Sequence, residues 1–393
     1  MMDFLPVAAD MAWPVALALA WIAGEFGHRI SGLPRISIYG IVGFVLGQTG
    51  ILAQTEGGSA MLLANVAFGL ILFEFGYRIN MKWLRVNPWI GVTGLAESAG
   101  TFAAVFATAN WFGMPVVAAL LLASLAMSTS PAAVLRIINE LRSSGQVTER
   151  VLHLSALNCV LAVFAFKVIV GLWTFQNSGS LWQAVWNSLV VLAVSAALGV
   201  LFGIALPGLL RRLGHLSRDA TTAFAIAVIL LVALTHALKF SPVLAALTFG
   251  ITARHRRVVL NQAQRNFGAL GDLLTVLLFV FTATRLDWRQ VSAGLGLGLA
   301  LLCVRQAVKV LAVLLFARVS GISWRKGALT GLALMPMSVF TILLLEQARY
   351  IGIELPDRLA PLAAATLLLE LFGPVLAQRA LLAAGESPDA MDD

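Results

Sequence analysis

Charged side chains are rare inside the apolar stretches of this sequence, and those found there are the first candidates for chemistry. Glu97 is the most central acidic residue, and Lys167, Arg305 and Lys309 are the basic ones. A charge in apolar surroundings is costly and is functional by default. Glu97 could therefore exchange a proton or bind a cation. The alternative is an ion pair with one of the three basic residues that only stabilises the protein.

Lys309 is the second candidate for proton exchange. Burial disfavours the charged ammonium group, so a buried lysine can release a proton when a cation arrives. Alternatively, Lys309 only neutralises the negative ends of helices. Arg305, one turn earlier on the same face, keeps its charge and is expected to be structural. Lys167 lies nine residues after Asn158 in the sequence and should point to the opposite face from it.

Two apolar stretches are interrupted at prolines. Leu121 to Leu141 is interrupted at Thr129, Ser130 and Pro131, and Leu332 to Leu345 is interrupted at Met335 and Pro336. A proline inside a helix removes a donor and frees backbone groups, which hydrocarbon cannot satisfy. Two interrupted helices at corresponding places in two halves of a chain indicate a transporter site near the membrane midplane.

Neutral oxygens are available beside these interruptions. Asn158, Thr129 and Ser130 could ligate a cation together with freed carbonyl groups. For Thr129 and Ser130, capping of the freed backbone groups is an equally good reading.

The elements that position these residues are membrane helices. The chain has 393 residues, of which 60% are hydrophobic and only 12% charged, and its mean hydropathy is +0.90. Apolar runs predict an all-α polytopic protein with thirteen spans. Their bounds are roughly 11 to 27, 36 to 53, 59 to 77, 88 to 110, 113 to 139, 151 to 173, 184 to 208, 219 to 237, 240 to 254, 270 to 284, 291 to 317, 325 to 348 and 359 to 384.

The basic residues give the orientation. One set of loops holds nineteen Lys and Arg residues and the opposite set holds five. Because basic loops stay in the cytoplasm, the N-terminus is expected outside and the C-terminus inside. Topology thus explains the net charge of +8, and no nucleic-acid binding is expected. Cys159 and Cys303 both lie within spans, which argues against a disulfide framework or a zinc site.

The fifth and twelfth spans run in opposite directions, as inverted repeats require. We predict one repeat from the second to the sixth span and another from the ninth to the thirteenth. Residues 1 to 384 would form one transmembrane domain, followed by a short acidic tail at 385 to 393. No cofactor or bound metal is expected.

Several short motifs, in their order and spacing, resemble the monovalent cation:proton antiporters, in particular the second family, with the Kef-type potassium exchangers. The likeness covers almost the whole chain. Its motifs are Gly32-Leu33-Pro34-Arg35 with Tyr39-Gly40, Gly43 and Gly47, then Phe73 to Gly76, Ser128 to Pro131, Lys309, Gly321 to Arg325, Met335-Pro336 and Glu370 to Pro374.

The sixth span departs from that family. Its members usually carry an Asn-Asp or Asp-Asp pair there, whereas this chain has Asn158-Cys159. The carboxylate that binds proton and cation in competition is therefore missing. A buried thiol stays neutral and is a poor ligand for an alkali cation, which prefers oxygens.

The resemblance implies a non-enzymatic antiporter of the inner membrane that exchanges K⁺ or Na⁺ for H⁺ by alternating access, as a homodimer in lipid. We expect Glu97 and Lys309 to supply the exchange chemistry. The missing carboxylate leaves two alternatives open, namely a degenerate member acting as sensor or scaffold, and a carrier of an anion or organic solute. Four other glutamates lie near span ends and are expected to be interfacial or structural: Glu25, Glu74, Glu346 and Glu370.

Overall fold

In a computed structural model of the protein, regular structure is helical throughout the described residues, which are 4–50, 52, 58–174, 181–213, 220–256, 267–337 and 360–388. The helices are α1 (Phe4–Ser31), α2 (Arg35–Gln48), α3 (Gly58–Arg78), α4 (Met81–Val86), α5 (Trp89–Trp111), α6 (Val116–Ala126), α7 (Pro131–Leu141), α8 (Gln146–Thr174), α9 (Leu181–Leu213), α10 (Ala220–Ala237), α11 (Pro242–His255), α12 (Gly268–Thr284), α13 (Trp288–Ala317), α14 (Trp324–Ala333) and α15 (Ala360–Ala383).

Apart from the short α4, which was not predicted, these helices overlap the predicted spans, and the all-helical fold is confirmed. The fifth span is divided into α6 and α7, and the twelfth is described only up to residue 337. In the described part of the chain, eight stretches are long and apolar enough to cross a membrane unaided, while α2 and α12 are shorter. The total of thirteen crossings stays a prediction.

The helices pack as two groups. One group contains α3, α9, α10 and α11, in which α11 packs against both α3 and α9. The other is centred on α13, which packs against α5, α14 and α15; α5 in turn packs against α6 and α8, and α8 also contacts α14. Glycine permits close approach within the first group, because a Cβ added at Gly76 would lie 2.2 Å from the Leu247 carbonyl oxygen. The second group carries Glu97, Asn158, Cys159 and Lys309, and both breaks adjoin it.

The segment after α15 is attached to the bundle at Glu386. Its carboxylate accepts hydrogen bonds of 2.8 Å from the backbone N–H groups of Val147 and Thr148 and from the Thr148 hydroxyl. These donors lie in the first turn of α8, where unpaired N–H groups favour an anion. The acidic segment thus begins by capping the helix that carries Asn158 and Cys159.

Candidate ion-binding site at the helix crossing

The first interruption consists of the four residues 127 to 130, directly before Pro131. Helix α6 ends at Ala126, and α7 starts at Pro131 with Ser130 as its N-cap, whose hydroxyl accepts from the Ala133 N–H at 3.2 Å. A proline at the first helical position removes an N–H that would have no intrahelical partner anyway. Pro131 therefore begins the second half-helix and does not itself disrupt a helix, contrary to the sequence argument.

The second interruption begins after α14, which ends at Ala333, and is described as far as Met337. Residues 338 to 345 of the predicted stretch lie outside the described residues. The segment is fully buried, and Leu334, Met335 and Pro336 present backbone carbonyl groups to the first interruption.

The two interruptions are in direct contact. The Ser130 N–H donates to the Pro336 carbonyl at 2.9 Å, and the Thr129 hydroxyl donates to the Leu334 carbonyl at 3.2 Å. The sequence positions that predicted two broken helices thus meet at a crossing, which satisfies part of the backbone that each break exposes.

Arg305 forms hydrogen bonds to both interruptions. Its three guanidinium nitrogens donate 2.8 Å hydrogen bonds to the carbonyls of Ala126, Ser128 and Met335, and the side chain is buried. The carbonyls at the ends of half-helices carry partial negative charge, which a guanidinium compensates. Arg305 therefore has the structural role that was expected, because it joins the two interruptions through their backbone carbonyl groups.

Glu97 and Lys309 form an ion pair at the crossing, and both side chains are completely buried. The Lys309 ammonium donates to Oε1 of Glu97, to the Met127 carbonyl at 3.0 Å and, more weakly, to the Thr129 hydroxyl oxygen at 3.4 Å. The lysine nitrogen therefore occupies a cage of three oxygens, of which one is anionic.

Two further hydroxyl groups surround the Glu97 carboxylate. Thr101 donates to Oε1 at 3.4 Å, and Ser98 lies 3.5 Å from Oε2. Neither residue was predicted from the sequence. For Thr101 a signal was available, because it follows Glu97 by four positions and so lies on the same face of the helix. Ser98 is adjacent in sequence and gave no such signal.

Asn158 and Cys159 of α8 complete the site. The Asn158 amide donates to the Thr129 hydroxyl oxygen at 3.3 Å, and its carbonyl oxygen accepts from Ser98 at 3.0 Å. The Cys159 thiol donates to the Thr129 carbonyl at 3.0 Å. Both side chains thus contact the first break.

The structure brings the predicted site residues together, although they come from four helices, α5, α7, α8 and α13, and from both breaks. Lys167 is half-buried on α8, and no ion pair or hydrogen bond of its side chain is found within the described ranges. Of the three basic residues that the sequence offered as ion-pair partners of Glu97, Lys309 is the one that forms the pair. The cage around the Lys309 ammonium suits a monovalent cation, because alkali and ammonium ions are bound by oxygen ligands.

Crossed, interrupted membrane helices with an intramembrane ion pair define a secondary transporter. Comparison with known proteins gives the particular family. Residues 15–381 match the family model described as "Sodium/hydrogen exchanger, transmembrane", so the chain belongs to the sodium/hydrogen exchanger family. Cation:proton antiport is its function class.

Named relatives agree with this class. The chain is 25% identical over 345 residues to the ammonium/H⁺ antiporter subunit AmhT of Alkalihalophilus pseudofirmus, with 84% of each chain covered. Two structures of the sodium proton antiporter MjNhaP1 of Methanocaldococcus jannaschii share its fold. One, at pH 8, has a TM-score of 0.67 at 16% identity and covers 98% of both chains. The other, from electron microscopy, has a TM-score of 0.71 at 17% identity and covers 98% of this chain and 96% of that one.

Proposed function

We propose that this protein exchanges a monovalent cation for a proton at the Glu97–Lys309 pair, which takes the place of the missing sixth-span carboxylate. The observation that carries the proposal is the position of the Lys309 ammonium, held by Glu97, Met127 and Thr129. A group of charge +1 is already bound by oxygens at the crossing.

The exchange conserves charge at the site. When a monovalent cation enters the oxygen cage, the Lys309 ammonium leaves as a neutral amine and its proton passes to water. The carboxylate of Glu97 keeps one positive partner throughout. When the lysine takes up a proton from the other side of the membrane, it displaces the cation again. Asn158, Thr129 and Ser130 shape the cage: Thr129 supplies a neutral oxygen, Asn158 donates a hydrogen bond to that hydroxyl, and Ser130 caps α7 beside it.

Na⁺ and K⁺ are the first candidate substrates. NH₄⁺ is a further candidate for two reasons. The cage already binds an alkylammonium, whose hydrogen bonds NH₄⁺ can reproduce with its own N–H donors. In addition, the relative AmhT carries ammonium in its name.

An anion is a weaker candidate. The two cationic groups at the crossing are already engaged, since Arg305 donates from each of its nitrogens to carbonyl groups and Lys309 binds Glu97. Nothing in the described crossing offers a free positive group to an anion.

The remaining features of the proposal concern the whole molecule. Residues 1 to 384 form the exchanger domain in the inner membrane, surrounded by lipid, and the protein works as a homodimer with its N-terminus outside. The segment 385 to 393 lies in the cytoplasm.

A cavity of about 880 Å³ lies between α1, α2, α7 and α12 and supports an entrance for ions from the cytoplasmic side. Its charged lining includes Glu25, Arg35, Arg136, Glu140 and Asp272.

The test is proton flux in proteoliposomes that contain a pH-sensitive dye. Addition of Na⁺, K⁺ or NH₄⁺ should move protons in the unmodified protein, while choline, which is too large for the cage, should not. Glu97→Gln and Lys309→Gln should each lose at least nine-tenths of this flux.

Matched controls separate chemistry from damage to the fold. Glu74→Gln removes another buried carboxylate, which accepts from Asn139 at 3.0 Å, and Lys167→Gln removes the lysine outside the crossing. Both should retain flux. Full activity of Glu97→Gln would exclude Glu97 from the mechanism. Activity only in Cys159→Asp, with none in the unmodified chain, would show that the fold is intact but native cation exchange has been lost.

A further inference from the structure

A second buried carboxyl group lies away from the ion pair, on α15. Glu370 follows Ala360 by ten residues and precedes Ala383 by thirteen, and its side chain is only 4% exposed. The expectation that Glu370 sits near a span end is therefore wrong. The residue lies in the middle of a membrane helix, where a carboxyl group is functional by default.

Among the buried carboxyl groups of the described residues, Glu370 is the one without a hydrogen bond in this structure. Neither of its carboxyl oxygens accepts a hydrogen bond from any residue of the chain that the structure describes. In contrast, Glu97 binds Lys309, Glu74 accepts from Asn139, and Glu386 accepts from Val147 and Thr148. An ionised carboxylate without donors is strongly disfavoured in an apolar environment.

The charged groups on the surrounding helices face elsewhere. Helix α15 packs against α2, α7, α13 and α14, and α12 carries Thr282 beside the Glu370 carboxyl. Two of the basic residues form ion pairs, Arg35 with Glu25 and Glu140 and Arg136 with Asp272, while Arg305 and Lys309 bind at the crossing. Arg325 donates to the Ala383 carbonyl, Lys326 donates to Gln146, and Arg285 lies over the Phe281 ring. Arg289, and Arg379 on α15 itself, are exposed.

The Thr282 hydroxyl oxygen can accept a hydrogen bond from a protonated Glu370 carboxyl. Its own proton is donated to the Leu278 carbonyl at 2.9 Å, which leaves oxygen lone pairs toward its surroundings. Such a neighbour suits a protonated carboxyl, which can donate to it, and one hydroxyl does not by itself compensate a buried negative charge.

Helix α15 is also in contact with the second interruption. A Cβ added at Gly373, one turn after Glu370, would lie 2.8 Å from the Cα of Pro336. Because the packing is this close, a shift of the second interruption must shift α15 and change the surroundings of Glu370.

We propose that Glu370 is a second proton-binding site, separate from the Glu97–Lys309 pair. It holds a proton in the conformation described and releases it when movement at the crossing brings water or a counter-charge to the carboxyl. This inference rests on the proposed function and extends it. One proton exchanges at Lys309 and one at Glu370, so two protons move per monovalent cation and transport is electrogenic.

The first test reads the protonation state without transport. Infrared spectra of the purified protein at neutral pH should contain the carbonyl band of a protonated carboxyl that shifts in D₂O. Glu370→Gln should remove this band, whereas the control Glu74→Gln should leave it. If Glu370→Gln does not fold, Glu370→Asp should keep the band in a folded protein. A spectrum of the unmodified protein without the band would overturn the proposal.

The second test counts protons. Radioactive Na⁺ uptake and the pH change measured in the same proteoliposomes should give about two protons per cation for the unmodified protein and about one for Glu370→Gln. An unchanged ratio would overturn the proposal. If the unmodified protein shows no cation-dependent flux at all, the proposed function fails, while the infrared test still decides the protonation of Glu370.

Discussion

The two interruptions that meet at the crossing are chemically unlike. The first contains Ser128, Thr129 and Ser130 and contributes both hydroxyl and N–H groups, whereas the second runs from Leu334 to Met337 and its side chains are apolar. The second contributes carbonyl oxygens, which accept from Thr129, Ser130 and Arg305. One break thus provides the adjustable polar side chains, and the other provides a fixed backbone surface. The site chemistry therefore depends on the first break, and the second acts by its position.

The largest expected effect comes from Arg305, because it holds both breaks. In Arg305→Met three buried carbonyls lose their donor, and each buried unsatisfied group costs about 1–3 kcal/mol. We expect a loss of about 3 kcal/mol or more in stability, measured as the midpoint of thermal unfolding in detergent. The exposed Arg289→Met is the matched control. Unchanged stability of Arg305→Met would mean that the breaks hold together without it.

The next effect tests whether the second break acts by position. In Gly373→Ala the new Cβ would meet the Pro336 backbone at 2.8 Å, where no flexible side chain can yield. We expect a loss of about 1–3 kcal/mol from overpacking, together with reduced flux. Gly296→Ala, in the interior of α13 with nothing within 4 Å of its added Cβ, should be neutral or slightly stabilising. Equal behaviour of the two variants would contradict this reading of the second break.

Thr129 tests whether the first break provides the chemistry. Thr129→Val keeps the shape but removes the hydroxyl that bonds Leu334, Asn158 and Lys309. A lost buried hydrogen bond of about 1–2 kcal/mol corresponds to roughly a tenfold rise in the KM for the cation. Thr129→Ser should restore the KM, which flux measurements over a range of cation concentrations can show. A normal KM in Thr129→Val would limit Thr129 to capping.

The smallest effect is expected at Cys159. Its thiol makes a weak hydrogen bond to the Thr129 carbonyl, so Cys159→Ala should cost less than about 1 kcal/mol and leave cation-dependent flux within about twofold. Thermal unfolding and flux measured on the same preparation check both parts. A complete loss of flux would show that the thiol has a role in transport beyond contact with the first break.

Much of this site could be predicted because each signal was local. Pro131 and Pro336 indicated the two interruptions, and Glu97 and Lys309 were recognisable as charged residues within apolar stretches. The exact use of Pro131 was missed, because whether a proline begins or breaks a helix depends on where the preceding half-helix ends. Ser98 and Thr101 were missed because small hydroxyls are common in membrane helices and gain meaning only beside a carboxylate.

By itself, the sequence determined that the protein is a helical membrane protein and roughly where most of its helices lie, since apolar length and proline position act over a single span. It also determined the family, through short motifs in a fixed order. Only the tertiary structure decided that Lys309 is the partner of Glu97, that Arg305 joins the two breaks, and that Glu370 has no hydrogen-bond partner among the described residues. These are contacts between residues far apart in the chain, and the energy of a buried charge depends on which groups surround it.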